Sequence, residues 1–151
     1  MRIALLSCAL IGCAYKPGSF TWGVNAFPGQ RVTVGCLDVA VERRTDFPIG
    51  PVIGYQFANR CDHPTRVDLG SIAVVGRDAG GAEVALRAYD PHAELRAVTL
   101  DARNIGTESL AYPATHAMAQ VCVDVASLER LRPAQWLCFG NAPATVVGSV
   151  P

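Results

Sequence analysis

The sequence lacks an excess of charge of either sign. Thirteen Lys and Arg residues balance thirteen Asp and Glu residues, and Lys16 is the only lysine among the basic ones. The basic residues form no evident patch along the chain. A protein that binds nucleic acid or anionic lipid by charge needs such a patch. We therefore expect no nucleic-acid partner.

The short motifs of common active sites are also missing. The sequence has no Gly-x-Ser-x-Gly elbow of a serine hydrolase. No Lys-Ser/Thr pair follows Gly80-Gly81, so these glycines do not form a phosphate loop. The acidic residues are scattered singly, which gives no paired carboxylates for glycoside hydrolysis. The sequence therefore predicts a protein that is not an enzyme and has no cofactor.

The N-terminus carries an apolar run that is too short to span a membrane. The run extends from Ile3 to Ile11, whereas a spanning helix needs about 20 apolar residues. Arg2 precedes the run, and Leu10-Ile11-Gly12-Cys13 ends it. This pattern resembles the lipobox leader of bacterial lipoproteins. The resemblance implies that residues 1–12 are a signal peptide and that Cys13 becomes the lipidated N-terminus.

The resemblance also implies where the protein is located. Lipoproteins of double-membrane bacteria with Asp after the lipidated cysteine tend to stay at the inner membrane, and here that position is Ala14. We therefore expect an exported protein that acyl chains anchor at the outer membrane. Two other interpretations remain open: a leader removed by ordinary signal peptidase, and the first strand of a cytosolic domain. A second match, Leu5-Leu6-Ser7-Cys8, has almost no apolar run before it, which favours Cys13.

Four further cysteines predict disulfides. An oxidising compartment favours pairing Cys36, Cys61, Cys122 and Cys138 in one of three possible ways. A hairpin turning at residues 45–51 would place Cys36 opposite Cys61, which favours Cys36–Cys61 and Cys122–Cys138. A zinc site is the alternative, but no Cys-x₂-Cys or His-x₃-His spacing occurs.

Short apolar runs separated by Gly, Pro, Asn and Asp predict strands. Leu37, Val39 and Val41 alternate with polar or small residues, which is typical of a half-buried strand. Asp78-Ala-Gly-Gly81 predicts a hairpin turn. One helical turn is expected over 128–131, with Ser127 as its cap. The candidate strands are 20–25, 31–43, 52–60, 65–76, 82–88, 94–100, 107–112, 118–126 and 135–140.

Regularly spaced short strands favour an all-β fold. We predict an immunoglobulin-like antiparallel β-sandwich with one short helical turn. The expected organisation is a signal peptide over 1–12, a lipidated N-terminus and linker over 13–28, and the sandwich domain over 29–151.

Several polar and aromatic residues lie at predicted strand ends. Asn59-Arg60-Cys61-Asp62 is expected to bond local backbone, with Arg60 lying over the sheet edge. His63 and His92 flank prolines and are expected in exposed loops. Tyr112 precedes Pro113 and is expected to end a strand and cover one end of the sandwich.

The functional prediction is a non-catalytic envelope protein with a binding, adhesion or structural role. Its expected partners are the membrane, through the lipid anchor, and another envelope protein or a surface polymer. The alternative is a periplasmic copper-binding protein in which His116 and Met118 share one strand face, with Cys122 as a further soft ligand.

Overall fold

A computed structural model of the chain describes residues 29–47, 50–89, 97–129 and 132–140. Most of these residues lie in strands, and two short 3₁₀ turns cover Leu69–Ser71 and Val125–Leu128. The strands are β1 (Gln30–Val34), β2 (Leu37–Phe47), β3 (Gly50–Asn59), β4 (Thr65–Val67), β5 (Ala73–Arg77), β6 (Glu83–Leu86), β7 (Val98–Leu100), β8 (Ile105–Ala111), β9 (Gln120–Asp124) and β10 (Trp136–Phe139). The predicted strand 20–25 falls outside the described residues.

Two four-stranded sheets form the body of the domain. The first has the order β1-β2-β3-β8 and the second has the order β10-β9-β5-β6, with antiparallel neighbours throughout. A separate antiparallel pair joins β4 to β7. In the immunoglobulin arrangement, strands A, B and E share one sheet, while C′, C, F and G share the other. Strands β2-β3-β8 and β6-β5-β9-β10 follow this order, so the predicted immunoglobulin-like antiparallel sandwich is confirmed.

The core lies between the two sheets and consists mostly of β-branched and aromatic side chains. Inward residues recur at every second position, as the pleat of a strand requires. Fully buried side chains from both sheets are Val39, Val41, Ile53, Tyr55, Phe57, Val121 and Val123. Burying each such side chain stabilises the fold by about 1.5–3 kcal/mol relative to leaving it exposed.

The opposite face of β2 is more buried than simple alternation predicts. Ala40 is 0% exposed and forms a second small apolar cluster with Ala58 and the partly buried Ile105. Asp38 is 1% exposed, and its Oδ1 accepts a hydrogen bond from Thr33 Oγ1 at 2.8 Å. This stretch of β2 is therefore buried on both faces, because small residues and paired polar groups occupy its outer side.

Two predicted strands are each divided in the structure. The stretch 31–43 forms β1 and β2, with a tight turn at Gly35, whose φ of 58° suits glycine. The stretch 65–76 forms β4 and β5, and the first 3₁₀ turn separates them. Asp68 caps that turn by accepting a hydrogen bond from the Gly70 amide at 3.0 Å.

Helical structure begins before the predicted turn over 128–131, and residues 130 and 131 of that prediction fall outside the described residues. The second 3₁₀ turn covers Val125–Leu128, and Asp124 caps it by accepting from the Ala126 amide at 3.0 Å. Ser127 lies inside the turn instead of capping it, and its hydroxyl accepts from the Ala73 amide at 3.2 Å. Asp124 competes successfully for the cap because a carboxylate accepts strongly from free backbone amides.

Both expected hairpins are present. Gly81 donates its amide to the Asp78 carbonyl at 3.1 Å and has a φ of 85°, which favours glycine. Strands β2 and β3 pair as far as Phe47 and Gly50, so their connection is shorter than the predicted turn at 45–51.

The structure joins Cys36 to Cys61 and Cys122 to Cys138, in agreement with the predicted pairing. Cys36 and Cys61 lie just beyond the last paired residues of β2 and β3, with their Cα atoms 5.5 Å apart. Cys122 and Cys138 face each other directly across β9 and β10. Each disulfide therefore lies within one sheet or at its end, and the two sheets are held together by the core.

Candidate functional site

A groove of about 770 Å³ opens beside the β6 edge of the second sheet. Segments 68–75 and 85–88 form one side, and residues from the end of β8 form the other. Its apolar floor includes Leu69, Ile72, Leu86, Leu110 and Tyr112, and its polar rim includes Asp68, Ser71 and Arg87. Ligand sites commonly have this size and this mixture of apolar walls with few polar groups.

The first 3₁₀ turn builds one wall of the groove. The Asp68 carbonyl accepts from the Ser71 amide at 3.1 Å and from the Ser71 hydroxyl at 2.7 Å. These bonds tighten the turn and direct Leu69 and Ile72 towards the core, where they are only 2% and 7% exposed. The local chemistry of Asp, Gly and Ser therefore anchors this wall of the groove in the core.

The opposite wall is held in place by a buried pair of tyrosines. The hydroxyls of Tyr55 and Tyr112 lie 2.6 Å apart, and the Tyr55 ring stacks on Phe57 with a centroid distance of 5.9 Å. The Tyr112 amide also donates to the Pro51 carbonyl at 2.9 Å. Tyr112 directly follows the last residue of β8, so the prediction that it ends a strand is confirmed, and its side chain is only 1% exposed.

Burial keeps both tyrosines neutral. Desolvation raises the pKa of Tyr112 to about 12 and raises the pKa of Tyr55 well above its ordinary value. Neither hydroxyl is ionised near neutral pH. The Tyr112 wall therefore adds no negative charge to the groove.

One backbone contact ties the chain after β6 to the end of β8. The Tyr89 amide donates to the Ala111 carbonyl at 2.7 Å. Because Arg87 and Ala88 lie between β6 and this contact, the bond fixes the two sides of the groove relative to one another.

The two charged residues of the rim differ in their surroundings. The Asp68 carboxylate caps the 3₁₀ turn through its bond to the Gly70 amide. The exposed Arg87 side chain has no ion pair or side-chain hydrogen bond within the described ranges. Among the described residues that line the groove, Arg87 is the cation and Asp68 is the anion.

The predicted copper ligands are placed differently from the expectation. His116 and Met118 lie between β8 and β9 and do not share a strand face. His116 is exposed, whereas Met118 is 5% exposed and packs in the core next to Gly76 and Leu86. Cys122 is bonded to Cys138. Among the described residues, no group of three or more His, Cys, Asp or Glu side chains is arranged to hold a metal.

The strand-end residues around Asn59 bond the backbone as predicted. The buried Asn59 side chain donates to the carbonyls of Leu100 and Asp101, each at 3.1 Å, and accepts from the Cys61 amide at 2.9 Å. Arg60 lies beside Asp38, with Nε 3.1 Å from Oδ1. This group fixes the β3 end and its disulfide.

The histidines of the proline turns give no site in the described structure. His63 is exposed, and its Nδ1 lies 2.9 Å from Asp62 Oδ1, which lowers the pKa of that carboxyl. His92 falls outside the described residues, as do Cys8 and Cys13. In the described ranges, no helix has both the length and the apolar character needed to cross a membrane.

Sequence reasoning missed the groove because its walls come from segments far apart in the chain. Asp68-Leu-Gly-Ser71 has the composition of a turn, and this could have divided the predicted strand 65–76. Nothing local links that turn to Arg87 or Tyr112.

Comparisons with known proteins name no family for this chain. A scan against protein-family models finds no match, and a search of curated proteins finds none either. Among solved structures, the chain is similar to the crystal structure of the YjhA protein from Bacillus subtilis. That similarity has a TM-score of 0.43 and 14% identity, and it covers 64% of this chain and 78% of the other.

Proposed function

We propose that the chain is an exported, lipid-anchored, non-catalytic binding protein of the bacterial envelope, and that its ligand site is the groove. The observation that carries the proposal is the groove itself, with its apolar lining and with Arg87 on its rim, which has no ion pair among the described residues. Surfaces of this kind bury the apolar body of a ligand and orient it through a few polar groups.

Two further observations support export and anchoring. The domain contains two disulfides, and such bonds persist mainly in oxidising compartments. The segment ending at Cys13 resembles a lipobox leader, and several acyl chains together bind a membrane stably. An outer-membrane location is part of the proposal because Ala14, not Asp, follows Cys13.

Anchoring is tested by changing the expected lipid acceptor. Cys13→Ser should abolish acyl labelling and release the protein from the membrane fraction or block its processing. Cys8→Ser is the matched control, because it changes the other leader cysteine and should leave both properties intact. Equal labelling and equal membrane binding of Cys13→Ser and the wild type would refute the lipid anchor.

The binding role is tested by mass spectrometry of the intact protein after incubation with a small-molecule extract of bacterial envelopes. We expect a bound component that is recovered with unchanged mass and that raises the melting temperature, since a ligand of the native state stabilises it. Chemical conversion of the bound component would refute the non-catalytic role. Failure of any component to bind would refute the binding role.

A further inference from the structure

The two disulfides of the domain differ in their exposure to solvent. Cys138 is exposed, and its partner Cys122 is half-buried. In the other disulfide, Cys61 is only 7% exposed and Cys36 is half-buried. The Thr65 hydroxyl also donates to Cys61 Sγ at 3.3 Å. A thiol reduces a disulfide by direct attack on one of its sulfur atoms, so the rate depends on access to that sulfur. The exposed Cys138 therefore makes its disulfide the more accessible one.

Strand pairing explains this exposure and limits the direction of attack. Leu137 and Phe139 pack against the core, so the side chain of Cys138 between them points to the outer face of the second sheet. Cys122 lies directly opposite Cys138 in the ladder, and Val75 of β5 lies opposite Cys122 on its other side. A thiolate must approach a disulfide sulfur from the side away from the bond that breaks. Val75 lies on that side of Cys122, which leaves Cys138 Sγ as the atom to be attacked.

Contacts other than the disulfide hold β10 in place. The strand pairs with β9 along its whole length. Gln30 Nε2 of β1 donates to the Cys138 carbonyl at 3.0 Å, and Arg43 Nη1 of β2 donates to the Gly140 carbonyl at 2.6 Å. The two cysteines should therefore stay opposite one another after reduction, so that the bond can form again.

We propose that Cys122–Cys138 is a reversible exchange site for an external dithiol, whereas Cys36–Cys61 stays oxidised. Exposed disulfides are typically the labile ones, with regulatory or catalytic roles. A dithiol is the chemical class that fits, because Cys122 stays opposite Cys138 and can expel a single thiol by forming the bond again. A second thiol on the same reagent competes with this return reaction and completes the reduction. Neither Cys122 nor Cys138 lines the groove, so the proposal does not rest on ligand binding there.

The exchange transfers two electrons from the dithiol to the protein. In the first step a thiolate of the dithiol attacks Cys138 Sγ, a bond forms between these two sulfurs, and the bond between Cys138 Sγ and Cys122 Sγ breaks. Cys122 Sγ leaves as a thiolate and takes up a proton. In the second step the other thiolate of the dithiol attacks its partner sulfur in the mixed disulfide and releases Cys138 as a thiolate, which is also protonated. The dithiol ends as a disulfide, and the two cysteines end as thiols.

Differential alkylation tests the proposal on the full chain carrying Cys8→Ser and Cys13→Ser, which keeps only the cysteines of the two disulfides. The protein is incubated with dithiothreitol in one arm and with reduced thioredoxin in the other, and samples taken over time are quenched, alkylated and mapped by mass spectrometry. We expect Cys122 and Cys138 to be alkylated at least about tenfold faster than the other pair. Reaction with the small dithiol alone would identify a small molecule as the source of the thiols, and faster reaction with thioredoxin would identify a protein.

Two further measurements test reversibility and the attacked atom. Circular dichroism of the selectively reduced protein should retain the strand signal, and replacing the dithiol with oxidised glutathione should restore Cys122–Cys138. A brief pulse of reduced glutathione, stopped with acid, should leave the glutathione adduct mainly on Cys138.

The variant Cys122→Ala/Cys138→Ala is the matched control, and it should release only the thiols of Cys36 and Cys61 at their slower rate. If this variant does not fold, the comparison of the two disulfides within one chain still decides. Equal rates for the two disulfides, faster reduction of Cys36–Cys61, or no reaction of Cys122–Cys138 in either arm would overturn the proposal. Unfolding on reduction of Cys122–Cys138, or failure of the bond to form again, would show that this disulfide is only structural. A glutathione adduct mainly on Cys122 would refute the assigned point of attack.

Discussion

The buried hydroxyl pair of Tyr55 and Tyr112 predicts that removing one hydroxyl destabilises the fold more than removing both. The hydroxyl oxygens are 2.6 Å apart, and no other side-chain partner of either hydroxyl is found within the described residues. Tyr112→Phe leaves the Tyr55 hydroxyl buried without a partner, and Tyr55→Phe does the same to Tyr112. An unsatisfied buried polar group costs about 1–3 kcal/mol, so each single variant should lose that much unfolding free energy.

The double variant should be far less destabilised than the sum of the two single variants. Replacing both partners with apolar groups of the same shape is nearly neutral, because no unpaired hydroxyl remains. The expected coupling between the positions is therefore the sum of the two single losses, about 2–6 kcal/mol, which lies at or above the upper part of the roughly 0.5–3 kcal/mol range seen for residues in contact. The rings stay in place, so packing against Phe57 is retained.

Urea unfolding of the disulfide-bonded protein, followed by circular dichroism, measures these differences. Tyr89→Phe is the matched control, because Tyr89 is 54% exposed and its hydroxyl should contribute less than about 0.5 kcal/mol. Additive losses in the double variant would refute the reasoning. Single variants that unfold at the same urea concentration as the wild type would refute it as well.

Three further predictions follow from the packing and the disulfides. The pKa of Tyr112 is raised to about 12 from an ordinary 10.0, so the unfolded state loses this proton at a lower pH than the folded state. The unfolding free energy should therefore hold below pH 10 and fall as the pH rises towards 12. Urea titrations should show that Tyr112→Phe flattens this fall. Cys122→Ala/Cys138→Ala should stay folded but melt at a lower temperature in calorimetry. The loop-entropy model gives a loss of unfolding free energy of about 3 kcal/mol for a separation of 16 residues. An unfolded variant would contradict this. Gly76→Ala should lower the unfolding free energy by about 1–3 kcal/mol in the same urea assay, because its methyl group would meet Met118 Sδ and Leu86 Cδ1. An unchanged urea midpoint would show that the core relaxes freely.

The fold could be predicted from the sequence wherever local pattern and tertiary environment agree. Leu37, Val39 and Val41 alternate in the sequence and all lie in the core. The predicted hairpin between β2 and β3 places Cys36 opposite Cys61 and leaves Cys122 to pair with Cys138, and the structure contains both bonds. Asp78 and the following glycines indicated their hairpin through turn chemistry alone.

Other features depend on contacts that no local pattern reveals. Arg43 belongs to an alternating strand, yet it is only 7% exposed because it donates to the carbonyls of Gly140 at 2.6 Å and Met118 at 2.7 Å. The sequence allows Met118 as an alternative metal ligand, but its side chain packs in the core because Gly76 leaves space for it. The groove likewise requires the 3₁₀ turn, β6 and β8 to converge, and their sequence separation hides this.

The contacts of Gln30 and Arg43 with the end of β10 bear on how the domain could be joined to another polypeptide. Gln30 Nε2 donates to the Cys138 carbonyl at 3.0 Å at the start of β1, and Arg43 Nη1 donates to the Gly140 carbonyl. The start of β1 therefore lies beside the end of β10, and β1 runs from there towards the end of the first sheet that carries Cys36–Cys61. The closeness of Gln30 to Cys138 suits the described part of the domain, residues 29–140, to insertion between two segments of another polypeptide, since the host chain would need to separate its ends only slightly.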